Sequence, residues 1–369
     1  MRYTELFAGI GGFRCGLEKA NAEKIRNRNS YKGKIRKGEA GIQPDRNGNR
    51  NKRDSADIGS GLRQVDNGYF KCIWANEIEK YACQIYRKNF GEKELIKGDI
   101  RRIPAESIPD FDLLTAGFPC QSFSIAGKRK GFGDTRGTLF FEICRIAKAK
   151  KPCLLLLENV QGLLSHDRGD TFRIILDSLS ELGYDCEWEV LNSKDFGVPQ
   201  NRPRVFIVGH LRGTGGQKVF PLGKGDRKNP EVESTRKPVS KCLRARGQKD
   251  LHSGLQLIGD FRYDKGIRIR RDNICPTIRR QSKGQDYSTS PLLIGKKEIR
   301  RLTPTECERI QGFPDGWTKG PPIESWWLNR IIDKHRYECL GNAVTVNVIE
   351  EIGRSILKWT GSRKKQEAG

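Results

Sequence analysis

The chain has 369 residues, with 69 Lys and Arg against 45 Asp and Glu, a formal net charge of +24. That length suits two domains, and the positive excess favours a polyanionic partner, because neutralising phosphates releases condensed counterions. Eleven scattered cysteines, no Cys-x-x-Cys pair and only four histidines argue against a metal site, and no apolar run approaches membrane-spanning length.

In chain order, Tyr3 to Phe7 reads as a strand, Ala8 to Gly12 as a glycine turn and Phe13 to Ala20 as a helix. Asn21 to Gly68 is basic, rich in Asn and Gly and almost without apolar residues. Such composition cannot offset ordering entropy, so the stretch reads as a disordered insertion, with a folded DNA-binding arm as the alternative. Cys72 to Ala75 is a short strand, followed by a helix from Glu77 to about Asn89. Leu113 to Ala116 is an apolar strand, Leu139 to Lys150 an amphipathic helix, and Leu154 to Leu157 a strand covered on both faces. Thr171 to Leu182 reads as a helix and Val205 to Gly209 as a strand. Arg212 to about Ile299 is rich in Gly, Lys and Arg, with short β-like pieces, and looks like a separate small domain. Thr303-Pro304-Thr305-Glu306 has the form of a capping box. A last helix is expected from Ala343 to Lys358, then a frayed tail. Alternating strands and helices predict an α/β fold with a largely parallel sheet, whose ligands bind at the carboxyl ends of the strands.

The residues that could carry chemistry fall at those ends. Phe7-Ala8-Gly9-Ile10-Gly11-Gly12 lets backbone approach a ligand at a helix start, or is only a tight turn. Glu77, at the next strand end, could accept from ribose hydroxyls or be an ordinary helix-start acid. Asp99, before Ile100, could meet an adenine amine. Cys120, in Pro119-Cys120-Gln121-Ser122-Phe123-Ser124, sits on a polar loop and is a candidate nucleophile, although a cysteine is more often a small hydrophobe. Glu158, in Glu158-Asn159-Val160, could be a desolvated proton donor or a capping acid. Arg202 and Arg204, in Gln200-Asn201-Arg202-Pro203-Arg204, alternate on strand spacing, which would point both to one face suited to an anion or carbonyl.

Together and in this order, these blocks resemble the C5-cytosine methyltransferase family. So do Arg301 to Cys307, Gln311-Gly312-Phe313-Pro314 and Gly341-Asn342-Ala343-Val344. The resemblance implies a Rossmann-like S-adenosylmethionine-dependent methyltransferase sheet with helices on both faces, plus a small, mostly β target-recognition domain. It implies that S-adenosylmethionine is held by Phe7, Ala8, Gly9, Ile10, Gly11, Gly12, Glu77, Ile78, Asp99, Ile100, Pro119, Leu139, Asn342, Ala343 and Val344. Cys120 would add to C6 of cytosine, Glu158 would bind N3 and the exocyclic amine, Arg204 would hold O2 and fix Glu158, and Arg202 would support them. Asn159 would brace the Pro119-Cys120 loop, and Gln121, Ser124, Gln200 and Thr277 would lie toward the substrate DNA. The loop from Gly127 to Gly137 would close over a flipped base. Glu5 departs from the pattern, standing where the family commonly has Asp.

The implied division is a catalytic domain over 1–211, a recognition domain over 212–299, a return segment over 300–340 and a closing helix over 341–369. Duplex DNA is the implied partner, with a cognate restriction endonuclease as a second candidate; the chain is expected to be a monomer in a reducing cytoplasm, at the nucleoid in a bacterium or archaeon. Methylation of tRNA by the same chemistry is the nearest alternative. A non-catalytic DNA-binding relative would be expected to lack Cys120 or Glu158, and a nicotinamide-dependent oxidoreductase would need the spaced dinucleotide glycines that this turn lacks.

Overall fold

The computed structural model describes residues 1–22, 69–119, 139–215, 218–222, 257–262, 266–270, 274–278, 291–294, 299–319 and 326–366. From residue 23 to 68, the insertion read from the sequence lies outside the described residues, as do Gly127 to Gly137 and the last three residues.

The four leucines of strand β5 (Leu154–Val160) show how the core is built. Successive strand side chains point to opposite faces, so Leu154 and Leu156 enter one buried layer while Leu155 and Leu157 enter the other. A run apolar at every position therefore marks a strand with helices above and below it. Strands β1 (Arg2–Leu6), β2 (Lys71–Glu77), β3 (Leu95–Lys97) and β4 (Leu113–Gly117) run parallel with β5. Beyond them come β6 (Tyr184–Asn192), the two-residue β7 (Gln200–Asn201) and β8 (Pro203–Leu211). The main sheet has seven strands in the order β3-β2-β1-β4-β5-β8-β6, and β8 is antiparallel to both of its neighbours. Strand order reverses beside β1, so the carboxyl ends of β1 and β4 diverge there into a crevice.

Helix α1 (residues 12–22), α2 (Lys80–Phe90), α3 (Leu139–Lys150) and α4 (Asp170–Glu181) cover the sheet. Phe140, Ile143, Ile146 and Ala147 of α3 and Phe172, Ile175 and Leu179 of α4 fill one layer. Phe13 and Leu17 of α1 fill the other, with Ile349, Ile352 and Ile356 from a C-terminal helix. Strands β9 (Leu257–Arg262), β10 (Gly266–Ile269), β12 (Leu292–Ile294) and β13 (Ile299–Arg301) make a second, antiparallel sheet in the order β10-β9-β12-β13. Between them, β11 (Cys275–Pro276) pairs in parallel with β7. Helices α5 (Pro304–Ile310), α6 (Trp326–Asn342) and α7 (Val346–Gln366) complete the described chain.

The boundaries differ from the sequence reading for local reasons. Strand β1 stops at Leu6 because Phe7 turns to φ +54°, a left-handed conformation costly for a residue with a Cβ. Helix α2 starts at Lys80 rather than Glu77, because the Glu79 carboxylate accepts from Ala82 N and takes the cap. Helix α7 starts at Val346 rather than Ala343, because Thr345 instead joins a buried chain with Ser193 and Gln311. Helix α6 and strand β6 were not read from the sequence at all. In α5 the capping box forms as expected, with Thr303 and Glu306 bonded to each other's backbone N–H.

Candidate active site

The turn after β1 is fastened at both ends. Ala8 N donates to Asn76 O at 2.9 Å, and Gly11 N to Ala8 O at 2.9 Å. Glycine is needed at Gly11, where φ is +81° and a Cβ would lie 2.2 Å from the Phe90 ring, and at Gly12, where a Cβ would lie 2.7 Å from Val344 Cγ2. The C-terminal segment thus packs directly on the turn. Ala8 and Ile10 are buried in it.

Glu77 ends β2 with its carboxylate held by three backbone N–H groups. Its Oε2 accepts from Gly9 at 2.7 Å, and its Oε1 from Ile78 and Glu79 at 2.8 Å each. Ile78 beside it is 60% exposed, an apolar side chain at the rim of the crevice. At the end of β3, Asn76 donates to Ile96 O and Gly98 O, which fixes the step into Asp99. Asp99 caps the short 3-10 turn Ile100–Arg102, and its hydrogen bonds to Arg101 hold its carboxyl down to about 2. The Ile100 side chain is buried in the core. Pro119 is exposed, Leu139 half-buried, Asn342 exposed, and Ala343 and Val344 buried.

Glu158 continues the row of Leu154 and Leu156 and lies where that layer opens. In register it pairs with Gly117 of β4 and Phe206 of β8. A Cβ at Gly117 would lie 3.5 Å from Glu158 Oε2, so the carboxylate reaches over the end of β4. Arg204 Nε stands 3.1 Å from Glu158 Oε1, with 15% and 10% of the two side chains exposed. Burial pushes the Glu158 carboxyl above its ordinary value, while the charges of Arg204 and Arg202 pull it down. Asn159 donates to Phe118 O at 2.9 Å and accepts from Val160 N, which ties the end of β5 to the residue before Pro119. Cys120, Gln121 and Ser124 lie outside the described residues.

Of the two arginines, the structure brings only Arg204 into contact with Glu158. Arg202, 2% exposed, donates to the carbonyls of Ile278, Gly341 and Ala343. The cause is that Arg202 precedes β8 rather than lying in it, so strand alternation does not apply. Thr277 is half-buried, and its hydroxyl donates to Asn201 O at 2.7 Å. Gln200 is fully buried on β7, and neither atom of its amide has a hydrogen-bond partner among the described residues.

Sequence reading missed Asn76 and Asn192. Asn192 Oδ1 accepts from Arg202 N at 2.9 Å. A polar residue inside the run Ile73-Trp74-Ala75-Asn76 and an Asn-Ser pair before Lys194 were the available signals.

The arrangement is a glycine turn, a fixed carboxylate and an apolar rim side chain beside a second, buried carboxyl paired with a guanidinium. The first group suits a nucleoside with hydroxyls to bond. The second suits a polar ring that takes up a proton.

Comparison with known proteins gives this arrangement its setting. The family model described as C-5 cytosine-specific DNA methylase matches residues 56–251 and 245–358. The chain is 39% identical over 306 residues to the Type II methyltransferase M.Bsp6I of Bacillus sp. (strain RFL6), covering 79% of this chain and 92% of that protein. It is 32% identical over 369 residues to the Type II methyltransferase M.HhaI of Haemophilus parahaemolyticus, covering 96% and 94%. Among solved structures, the S. pombe Dnmt2 methyltransferase superposes with a TM-score of 0.58 at 20% identity, covering 97% of this chain and 98% of that one, a likeness of fold.

Proposed function

The chain belongs to the C-5 cytosine-specific DNA methylase family and is a DNA cytosine-5-methyltransferase, and we propose that it methylates a flipped-out cytosine in duplex DNA, using S-adenosylmethionine and Cys120 as nucleophile. The observation that carries this reading is the buried Glu158–Arg204 pair reaching over Gly117, three residues before Cys120.

Carbon 5 of cytosine is a poor nucleophile, and covalent addition divides one hard step into easier ones. The Cys120 thiolate adds to C6, and Glu158, whose carboxyl burial pushes above its ordinary value, delivers a proton to N3. Charge that would build on the ring is thereby neutralised, and C5 gains carbanion character. Arg204 holds O2 and keeps the Glu158 carboxyl in place. After loss of the C5 proton to water or a base, Cys120 leaves by elimination. S-adenosylmethionine, when bound, supplies an electrophilic methyl group. The residues present fit it. The Gly9–Gly12 turn has no room for side chains at its tightest points, Glu77 presents an oriented carboxylate for ribose hydroxyls, and Ile78 offers an apolar face to a purine.

Residues 212–299 form the target-recognition domain in this reading, with Thr277 toward the DNA. The protein acts as a monomer on duplex DNA and protects its own sites from a cognate endonuclease. Extrusion of the base costs a few kcal/mol, which phosphate contacts of a strongly basic chain offset.

The test is expression in a methylation-free bacterial host, with 5-methylcytosine mapped by bisulfite sequencing. A single sequence motif should emerge, and Cys120→Ala should abolish the signal without unfolding the protein. Substrate duplex carrying 5-fluorocytosine should trap the enzyme covalently in the presence of the methyl donor. Undiminished methylation by the Cys120→Ala variant would remove that residue from the mechanism.

A further inference from the structure

Arg202 is a buried cation with no carboxylate bonded to it among the described residues. Its backbone is fixed first, because Arg202 N donates to Asn192 Oδ1 at 2.9 Å and Arg202 O accepts from Ser193 N and Oγ at 3.3 Å each. The side chain then forks. Nη1 donates to Ile278 O at 3.1 Å, while Nη2 donates to Gly341 O at 2.9 Å and Ala343 O at 2.8 Å; Nε has no partner among the described residues.

The two ends of the fork hold different parts of the molecule. Ile278 follows β11, and that stretch is strapped to the main domain along β7. Cys275 pairs with Gln200 and Pro276 with Asn201, Cys275 N donates to Pro199 O at 2.8 Å, and the Thr277 hydroxyl donates to Asn201 O. Gly341 and Ala343 flank Asn342, and Ala343 immediately precedes Val344, which packs on Gly12 of the cofactor turn and lies 3.9 Å from a Cβ at Gly117. One guanidinium therefore joins the recognition-side segment 274–278 to the segment that closes the cofactor turn.

A buried cation held only by carbonyl dipoles costs more than a neutral tie would. Burial lowers its pKa to about 9, and the opposing charge is that of Glu158. What the cation provides is a planar fork with several donors in fixed directions, which one ammonium cannot reproduce.

We propose that Arg202 is a positioning residue that couples occupancy of the cofactor turn to engagement of DNA by residues 274–278. The proposal rests on the methyltransferase reading. A ligand packed on the turn and on Asn342–Val344 holds the Gly341 and Ala343 carbonyls. They hold the fork, and the fork holds Ile278 in register beside Thr277. Linkage makes the effect reciprocal, so bound DNA must tighten the cofactor site by the same factor. Ile10 and Ile278 also share one buried cluster, a second route that packing alone could use. The experiment has to separate the two.

The affinity for S-adenosylhomocysteine is measured by calorimetry with and without a short duplex bearing the site that bisulfite mapping returns. The wild type should bind it more tightly with DNA present, by about 5- to 150-fold. Arg202→Lys keeps a long basic side chain and loses the fork, and its ratio should fall to about one whatever its binary affinities. An unchanged ratio in a folded Arg202→Lys protein would reduce the fork to a structural tie and overturn the proposal. Hydrogen exchange on the wild type needs no variant. S-adenosylhomocysteine alone should slow exchange at residues 274–278, and no slowing there would also overturn it. A wild type that methylates DNA yet shows no coupling defeats this inference alone. A wild type with no mapped site defeats the methyltransferase reading.

Discussion

At the residue scale, two buried carboxyls have opposite consequences. Glu158 is raised by burial and restrained chiefly by Arg204. If its protonated form delivers the N3 proton, Glu158 sets the alkaline limb, on which methyl transfer declines as pH rises through that raised pKa. Arg204→Met removes the largest restraint, so the alkaline decline should move to higher pH even as the rate falls. Single-turnover transfer of labelled methyl across a pH series reads this directly, and a decline that moved to lower pH would contradict it. Glu158→Gln should cost about 10²–10⁴ in that rate, the ordinary worth of a positioned acid. Glu5 carries no such role. It is fully buried on β1, its Oε2 accepts from Tyr86 OH, its Oε1 has no hydrogen-bond partner among the described residues, and burial pushes its pKa to about 8. Below about 4.5 it is neutral folded or unfolded. Between there and about 8 the unfolded chain ionises first, so the fold loses stability as pH rises, and the loss levels off above. Glu5→Gln should remove that loss, which linkage bounds at about 5 kcal/mol. Its melting temperature should exceed the wild type's by more at pH 8 than at pH 5.

At the element scale, the glycine turn after β1 is a contact between three elements. Gly11 packs on Phe90 of α2, and Gly12 on Val344 of the turn before α7. Gly11→Ala would put a Cβ against the Phe90 ring at a φ of +81°. Overpacking of that kind costs about 1–3 kcal/mol, and left-handed strain adds about 1–2 kcal/mol. The variant should melt lower and bind S-adenosylhomocysteine more weakly, as calorimetry would show; unchanged affinity would separate the turn from the cofactor. Glycine spacing in the sequence was enough to suggest this turn. Its partners were not legible, because Phe90 and Val344 come from distant parts of the chain. The same limit applied to β6, Tyr184–Asn192, whose mixture of charged and aromatic residues suits an outer strand and gives no clean alternation.

At the scale of the whole molecule, the position of the insertion is informative. Residues 22 and 69 lie at its base, where Asn21 Nδ2 donates to Phe70 O and Phe70 N to Asn21 Oδ1, both at 2.8 Å. Phe70 leads into the amino end of β2, whereas Glu77 ends its carboxyl edge. A seven-residue strand spans roughly 23 Å, so the insertion departs from the edge opposite the site. Replacing 23–68 with a short Gly/Ser linker should leave the melting temperature and the bisulfite pattern intact. Loss of methylation in that folded variant would give the segment a role in the reaction.

The residues alone located most strands of the main sheet, β6 excepted, since runs such as Leu154–Leu157 admit few other readings, and they placed Gly9, Glu77, Asp99 and Glu158 at strand ends. The order of those strands, with β8 inserted antiparallel between β5 and β6, came only from tertiary pairing. So did the separate fates of Arg202 and Arg204, two positions apart. Arg204 lies on β8 and meets Glu158; Arg202 precedes the strand and is claimed by carbonyls 76 to 141 positions away in the chain. Local pattern reports which way a chain is built to run. Which buried donor meets which acceptor depends on segments far apart in sequence, and only their packing decides it.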